Sequence, residues 1–147
     1  MIIAIDFDGT IVEHAYPEIG KPIPFAVDTL LLLQKEGHQL ILWTVRRGRL
    51  LQEAIDYCAQ RGLFFYAENE NYRGEMKEMG EDISFRPDSF IDDRNLGGLP
   101  DWGIIYNTVK ATTNGENALQ MMTGEIVPIG SERKKKGWFS TVIRNRK

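Results

Sequence analysis

Three short polar clusters in this chain each follow an apolar run. Asp6, Asp8 and Gly9 follow residues 1–5, Thr44 follows residues 39–43, and Asp92 with Asp93 follow residues 89–91. Four carboxylates gathered at one site cannot all stay ionised without a counter-charge, because like charges raise one another's pKa. A hard divalent cation answers this with oxygen ligands, and Mg²⁺ leans on one or two carboxylates plus a substrate phosphate. Such a site suits phosphoryl transfer. Beside the metal, one carboxylate can attack phosphorus to give an aspartyl-phosphate. A second can protonate the leaving oxygen and later deprotonate water. Gly9 allows a tight turn that lets both acids face one pocket. The Thr44 hydroxyl, with free amides beyond its strand, can hold phosphate oxygens.

These groups meet only if the elements bring them together. Residues 1–5 (MIIAI) read as a buried strand, residues 39–43 (QLILW) as a second, 63–67 (LFFYA) as a third and 89–91 as a short fourth. Residues 25–35 and 48–61 carry apolar side chains at helical spacing, closed by Gly37 and Gly62. Residues 100–111 read as a helix with Pro100 at its first position and Asp101 in its first turn, although Gly-Ile-Ile-Tyr would also serve as a fifth strand. Residues 115–122 could add a turn or two. Strands alternating with helices imply a doubly wound α/β fold with a parallel sheet. In such sheets the ligand crevice lies beyond the carboxyl ends of the strands, which is where all three clusters fall.

The segment Asp6-Phe7-Asp8-Gly9-Thr10 resembles the D-x-D-G-T signature of the haloacid dehalogenase superfamily. Ile41-Leu42-Trp43-Thr44 resembles its second motif and Ile91-Asp92-Asp93 its acidic fourth motif, in the family's order. The resemblance frames roughly the first 100 residues. It implies a Rossmann-like core and a Mg²⁺-dependent phosphatase acting on a phosphomonoester. Asp6 would be the nucleophile and a metal ligand. Asp8 would be the acid/base, with its backbone carbonyl also on the metal. Thr44 would bind phosphate, and Asp92 with Asp93 would complete the metal site. The chain departs from the family in lacking a clear phosphate-neutralising Lys ahead of the Asp pair. Arg86, Arg46 and Lys77 are the candidates, in that order.

In this superfamily a cap domain often sets substrate choice. Residues 10–39 hold only a loop, resembling the family's hairpin flap at 11–24, and one helix. Residues 68–88 are too few for a folded cap. The expected enzyme is uncapped, open to a bulky substrate (a small-molecule phosphate ester or a phosphorylated macromolecule) or shielded by a second subunit in a homo-oligomer. A phospho-accepting signalling domain would use a similar Asp cluster, but with the acceptor after its third strand, which here ends in Tyr66-Ala67. A phosphate-binding protein on a degenerate hydrolase scaffold is the other alternative.

Of 147 residues, 42% are hydrophobic and 27% charged, a globular composition. Eleven basic residues face 21 acidic ones before Arg133, whereas seven basic and no acidic residues follow from Arg133 on. Residues 1–125 thus read as the hydrolase core and 126–147 as a basic tail. The acidic body argues against nucleic acid as partner. No apolar run reaches the roughly 18–20 residues of a membrane span. The single cysteine, Cys58, suits a reducing cytoplasm and reads as a small buried residue. Trp43, Phe64, Phe65 and Trp102 read as core, and His14 and His38 as surface or loop residues outside any metal-spaced cluster.

Overall fold

The computed structural model describes residues 1–75 and 86–115. Four strands, β1 (Ile2–Ile5), β2 (Gln39–Leu42), β3 (Ala67–Glu68) and β4 (Ser89–Ile91), form one sheet. Their order is β3-β2-β1-β4 and every pair is parallel. Three helices among the described residues flank it: α1 (Ala26–Lys35), α2 (Gly48–Ala59) and α3 (Trp102–Thr113). This is the parallel α/β architecture that the alternation of elements implied. No folded cap occurs among the described residues. Residues 76–85 and 116–147, which include the basic tail and the turns expected after Gly115, lie outside them.

β1 and β2 are apolar along their length because both faces are covered; Ile3, Ile5, Leu40 and Leu42 are wholly buried. Ile5 pairs with Leu42 on one side and with Ile91 on the other, so three strands end level. The ladder runs on by one bond at each side: Trp43 N donates to Ile5 O (2.8 Å) and Asp6 N to Ile91 O (3.0 Å). The chain winds outward from β1 through β2 to β3, then β4 returns to the opposite side of β1. The reversal puts the crevice of the sheet between the ends of β1 and β4.

The third strand is far shorter than residues 63–67. Gly62, with φ of 80°, closes α2, and Leu63 N still bonds back to Cys58 O (3.1 Å), completing a Schellman motif. Leu63 therefore belongs to the helix terminus. Pairing begins only at Tyr66, whose N reaches Leu40 O (2.8 Å). Phe64 is exposed, against its expected place in the core, while Phe65 and Trp102 are buried. Residues 102–113 are helix rather than a fifth strand. Asp101 caps α3, accepting from Gly103 N (2.8 Å), and Pro100 stands before the helix instead of in its first turn. Cys58 is buried, and burial pushes its thiol up to about 12, so it is packing, not chemistry.

Residues 11–23 form the expected hairpin flap beyond β1. Glu13 N donates to Lys21 O (2.8 Å), Ile23 N to Ile11 O (3.0 Å), and Val12 bridges Pro22. Any side chain at Gly20 would collide with the Glu13 carbonyl.

Candidate active site

The crevice between β1 and β4 gathers three acids. Asp6, Asp92 and Asp93 each offer a carboxylate oxygen, all within 4.8 Å of one another. Asp6 follows β1 directly, and wholly buried Phe7, edge-on to Tyr57 of α2, anchors the loop between it and Asp8. The Asp6 carboxyl is pushed up to about 6, chiefly by burial, with the charges of Asp92, Asp93 and Asp8 adding to it against a hydrogen bond from Phe7 N.

The loop after β4 is tied to the loop after β1. Asp92 Oδ1 accepts from Arg94 N (2.8 Å) in an Asx turn, and Asp93 N donates to Oγ1 of buried Thr10 (3.2 Å). Asp93 Oδ2 meets His14 Nε2 of the flap at 2.8 Å, while Asp93 Oδ1 is buried without a hydrogen-bond partner. Gly9 lies beneath this contact with φ of 88°. A Cβ there would fall 2.4 Å from His14 Nε2 and 2.5 Å from Asp93 Oδ2. The glycine of D-x-D-G-T thus serves a close approach as well as a turn.

Asp8 faces elsewhere. Arg46, wholly buried, donates from Nε to Asp8 Oδ2 (2.7 Å) and from Nη2 to Asp8 Oδ1 (2.6 Å), a bidentate pair. The same guanidinium donates to Pro17 O (2.9 Å) and Glu18 O (2.8 Å) of the flap, and lies 5.1 Å from the Phe7 ring and 5.3 Å from that of Tyr16. Its hydrogen bonds to Asp8 raise its own pKa further. Arg46 is thus engaged within the protein, which corrects its expected role as a phosphate clamp. The carboxylates that gather are those of Asp6, Asp92 and Asp93, with that of Asp8 turned to Arg46.

Thr44 is buried at the end of β2, with its amide on Asn69 Oδ1 (2.8 Å) and its Oγ1 accepting from Arg46 N (3.3 Å). Arg86 is not brought to the acids. It leads into the amino end of β4, where Ser89 pairs with Ile3, and its amide donates to Asn71 Oδ1 (2.7 Å). From Ser89 to Ile91 the strand then runs toward the acids at about 3.3 Å per residue, so Arg86 enters at the far edge. Lys77 lies outside the described residues. His38 is buried beside the N-terminal amine (3.4 Å), against its expected exposure. Burial lowers its pKa.

Sequence reasoning missed two participants. His14 stands in the loop as expected but reaches Asp93, a contact only the folded flap creates. Asn69, with φ of 54°, braces the Thr44 loop from the end of β3, and an Asn in a left-handed conformation after a strand is its sole local signal.

No protein-family model and no curated protein matches the chain. No helix among the described residues is long and apolar enough to cross a membrane. The solved structure of a conserved protein from Bacteroides thetaiotaomicron is 61% identical over 76% of this chain and 91% of its own, with a TM-score of 0.71. The chain belongs to the same family as that conserved Bacteroides thetaiotaomicron protein.

Proposed function

We propose that this protein is a Mg²⁺-dependent phosphatase that hydrolyses a phosphomonoester through an aspartyl-phosphate on Asp6, as the resemblance to the haloacid dehalogenase superfamily implies. The observation that carries this reading is the acidic trio at the switch point of the sheet. Its donors fit a hard cation. The side-chain donors are carboxylate oxygens only, Asp93 Oδ1 is buried without a partner, and the Asp6 carboxyl is raised by burial first and by its acidic neighbours second. Asp6, Asp92 and Asp93 would hold Mg²⁺, together with the Asp8 backbone carbonyl. When bound, the ion neutralises the trio and draws charge from the phosphoryl oxygens.

The chain's own groups account for the rest. Asp6, as carboxylate, attacks phosphorus; the ester P–O bond breaks and its electron pair stays on the leaving oxygen. Thr44 and the amides near it hold phosphoryl oxygens. Asp8 has both oxygens accepting from Arg46, so taking a proton from the water that cleaves the acyl-phosphate would require it to let go of that guanidinium. Donating a proton to the leaving oxygen requires that pair to open. Thr10 and His14 hold Asp93 in place against Gly9. The substrate is a small-molecule phosphate ester or a phosphorylated macromolecule reaching an uncapped site.

The Asp8–Arg46 pair also favours a second reading, a phospho-accepting or phosphate-binding regulatory protein with little turnover. The two differ in rate. Purified protein with Mg²⁺ should release phosphate from an aryl phosphate over many turnovers, and Asp6→Asn should lower that rate by on the order of 10³-fold or more. Wild-type turnover in a metal-replete Asp6→Asn protein refutes Asp6 as nucleophile. Stoichiometric labelling of Asp6 without turnover selects the second reading.

A further inference from the structure

We propose that Tyr16 is the specificity-determining contact of this site and that the phosphate ester it takes carries a flat, aromatic leaving group. The inference rests on the phosphatase reading and adds to it the substrate class. Tyr16 stands on the flap beside a buried cation. Arg46 fixes the flap backbone just after Tyr16, bonding Pro17 O at 2.9 Å and Glu18 O at 2.8 Å. The same guanidinium carbon lies 5.3 Å from the Tyr16 ring, a cation–π distance. Its Nε and Nη2 hold Asp8 at 2.7 and 2.6 Å. One buried cation therefore locates the Tyr16 ring relative to Asp8, the carboxyl on the leaving-group side of the reaction. Tyr16 is nevertheless 56% exposed, so ring surface not used by Arg46 is open.

Two further apolar side chains stand on the loops that follow the neighbouring strands, Val45 after β2 and Leu96 after β4, both exposed. Of these exposed side chains, Tyr16 is the one whose ring lies beside the buried cation that holds Asp8. A flat ring stacks on such a surface, whereas a polyol has nothing to gain from it. The chemistry agrees. When Asp6 bonds to phosphorus and the P–O bond breaks, an aryl oxygen keeps the electron pair and departs as a phenolate, its charge spread into the ring. It takes its proton from water afterwards, so nothing is asked of the Asp8 oxygens that Arg46 occupies. Water then attacks phosphorus, the Asp6–phosphorus bond breaks, and the water protons end on phosphate and solvent.

The test compares 1-naphthyl phosphate with acetyl phosphate, which shares the good leaving group but has no ring. Both are measured with Mg²⁺ on wild type, Tyr16→Ala and Tyr16→Phe. The ratio of kcat/KM for naphthyl over acetyl phosphate should fall about tenfold in Tyr16→Ala, mainly through KM, as expected for a lost ring stack. Tyr16→Phe should restore it. A ratio unchanged by Tyr16→Ala, or lost equally in Tyr16→Phe, overturns the stacking role. Failure of wild type to hydrolyse either substrate overturns the phosphatase reading itself, and this inference with it.

Discussion

Asp6 and Asp8 are two residues apart in one loop, yet they live in opposite electrostatic surroundings. Asp8 has its charge matched by a wholly buried guanidinium on both oxygens, and that guanidinium is satisfied in turn by flap carbonyls and aromatic rings. Asp6 faces Asp92 and Asp93, and burial with like charge raises its carboxyl to about 6. A buried charge pair is tolerated only with good geometry and satisfied neighbours, and Asp8–Arg46 has both. An unmatched acidic cluster costs stability, and a fold keeps such strain where a ligand relieves it. The matched half holds the flap, the β1 loop and the β2 loop together; the unmatched half is where the proposed cation would sit.

The largest effect expected on this contrast is the loss of the matched half. Arg46→Met should destabilise the protein by about 3–5 kcal/mol, because Asp8 is left charged and buried without its partner. Adding Asp8→Asn removes that charge and should recover a good part of the loss. Urea unfolding of the two variants measures both numbers. A cost below about 1 kcal/mol for Arg46→Met would mean that the pair is no scaffold, since that is the range of exposed ion pairs.

The unmatched half should respond to pH. In the metal-free protein Asp6 binds its proton more tightly than it does in the unfolded chain, about 6 against 3.8. Its contribution to stability is therefore full below pH 3.8 and lost as the pH rises through about 6. Mg²⁺ has the opposite preference, since it must displace that proton. Its affinity should be level above about pH 7 and fall roughly tenfold between pH 7 and pH 5, as one proton per ion predicts. Calorimetric Mg²⁺ titrations at pH 5, 6 and 7 read this out. Asp6→Asn should bind more weakly at pH 7 and lose the slope. A slope that survives in Asp6→Asn would move the titration to another ligand.

How much of this was legible depended on whether a side chain's task is local. β1 and β2 show in the sequence because a strand buried on both faces reads as an apolar run, β4 shows as a shorter run with Phe90 exposed, and the acids stand where those runs stop. The sheet's reversal around β1 then brings Asp6 to Asp92 and Asp93 without any special signal. Leu63 and Phe64 read as strand because apolar or aromatic character says nothing about the Schellman closure that still holds Leu63 to Cys58. Arg46 was visible as a cation beside Thr44, but its inward turn onto Asp8 depends on Pro17 and Glu18, almost 30 residues earlier. His14 reaches Asp93 across a separation of 79 residues, through a glycine that reads locally as a turn. Partners far apart in the chain leave no spacing to read.

The smallest effect expected lies where the two halves join. Thr10 belongs to the same loop as Asp8, and its buried Oγ1 accepts from Asp93 N at 3.2 Å. Thr10→Val keeps the shape and removes only that acceptor, leaving a backbone donor without its bond. The cost should be about 1 kcal/mol, or roughly 2–4 °C in Tm for a chain of 147 residues. Because the amide belongs to a carboxylate of the trio, Mg²⁺ affinity should drop several-fold while the Asp8–Arg46 pair is untouched. Thermal melts with and without Mg²⁺ separate the two contributions. The Thr10→Val deficit should be larger with the ion, since binding stabilises with the logarithm of affinity and the variant loses part of that gain. An equal deficit in both conditions would show that Thr10 supports the loop alone, with Asp93 held for the cation by His14 and Gly9.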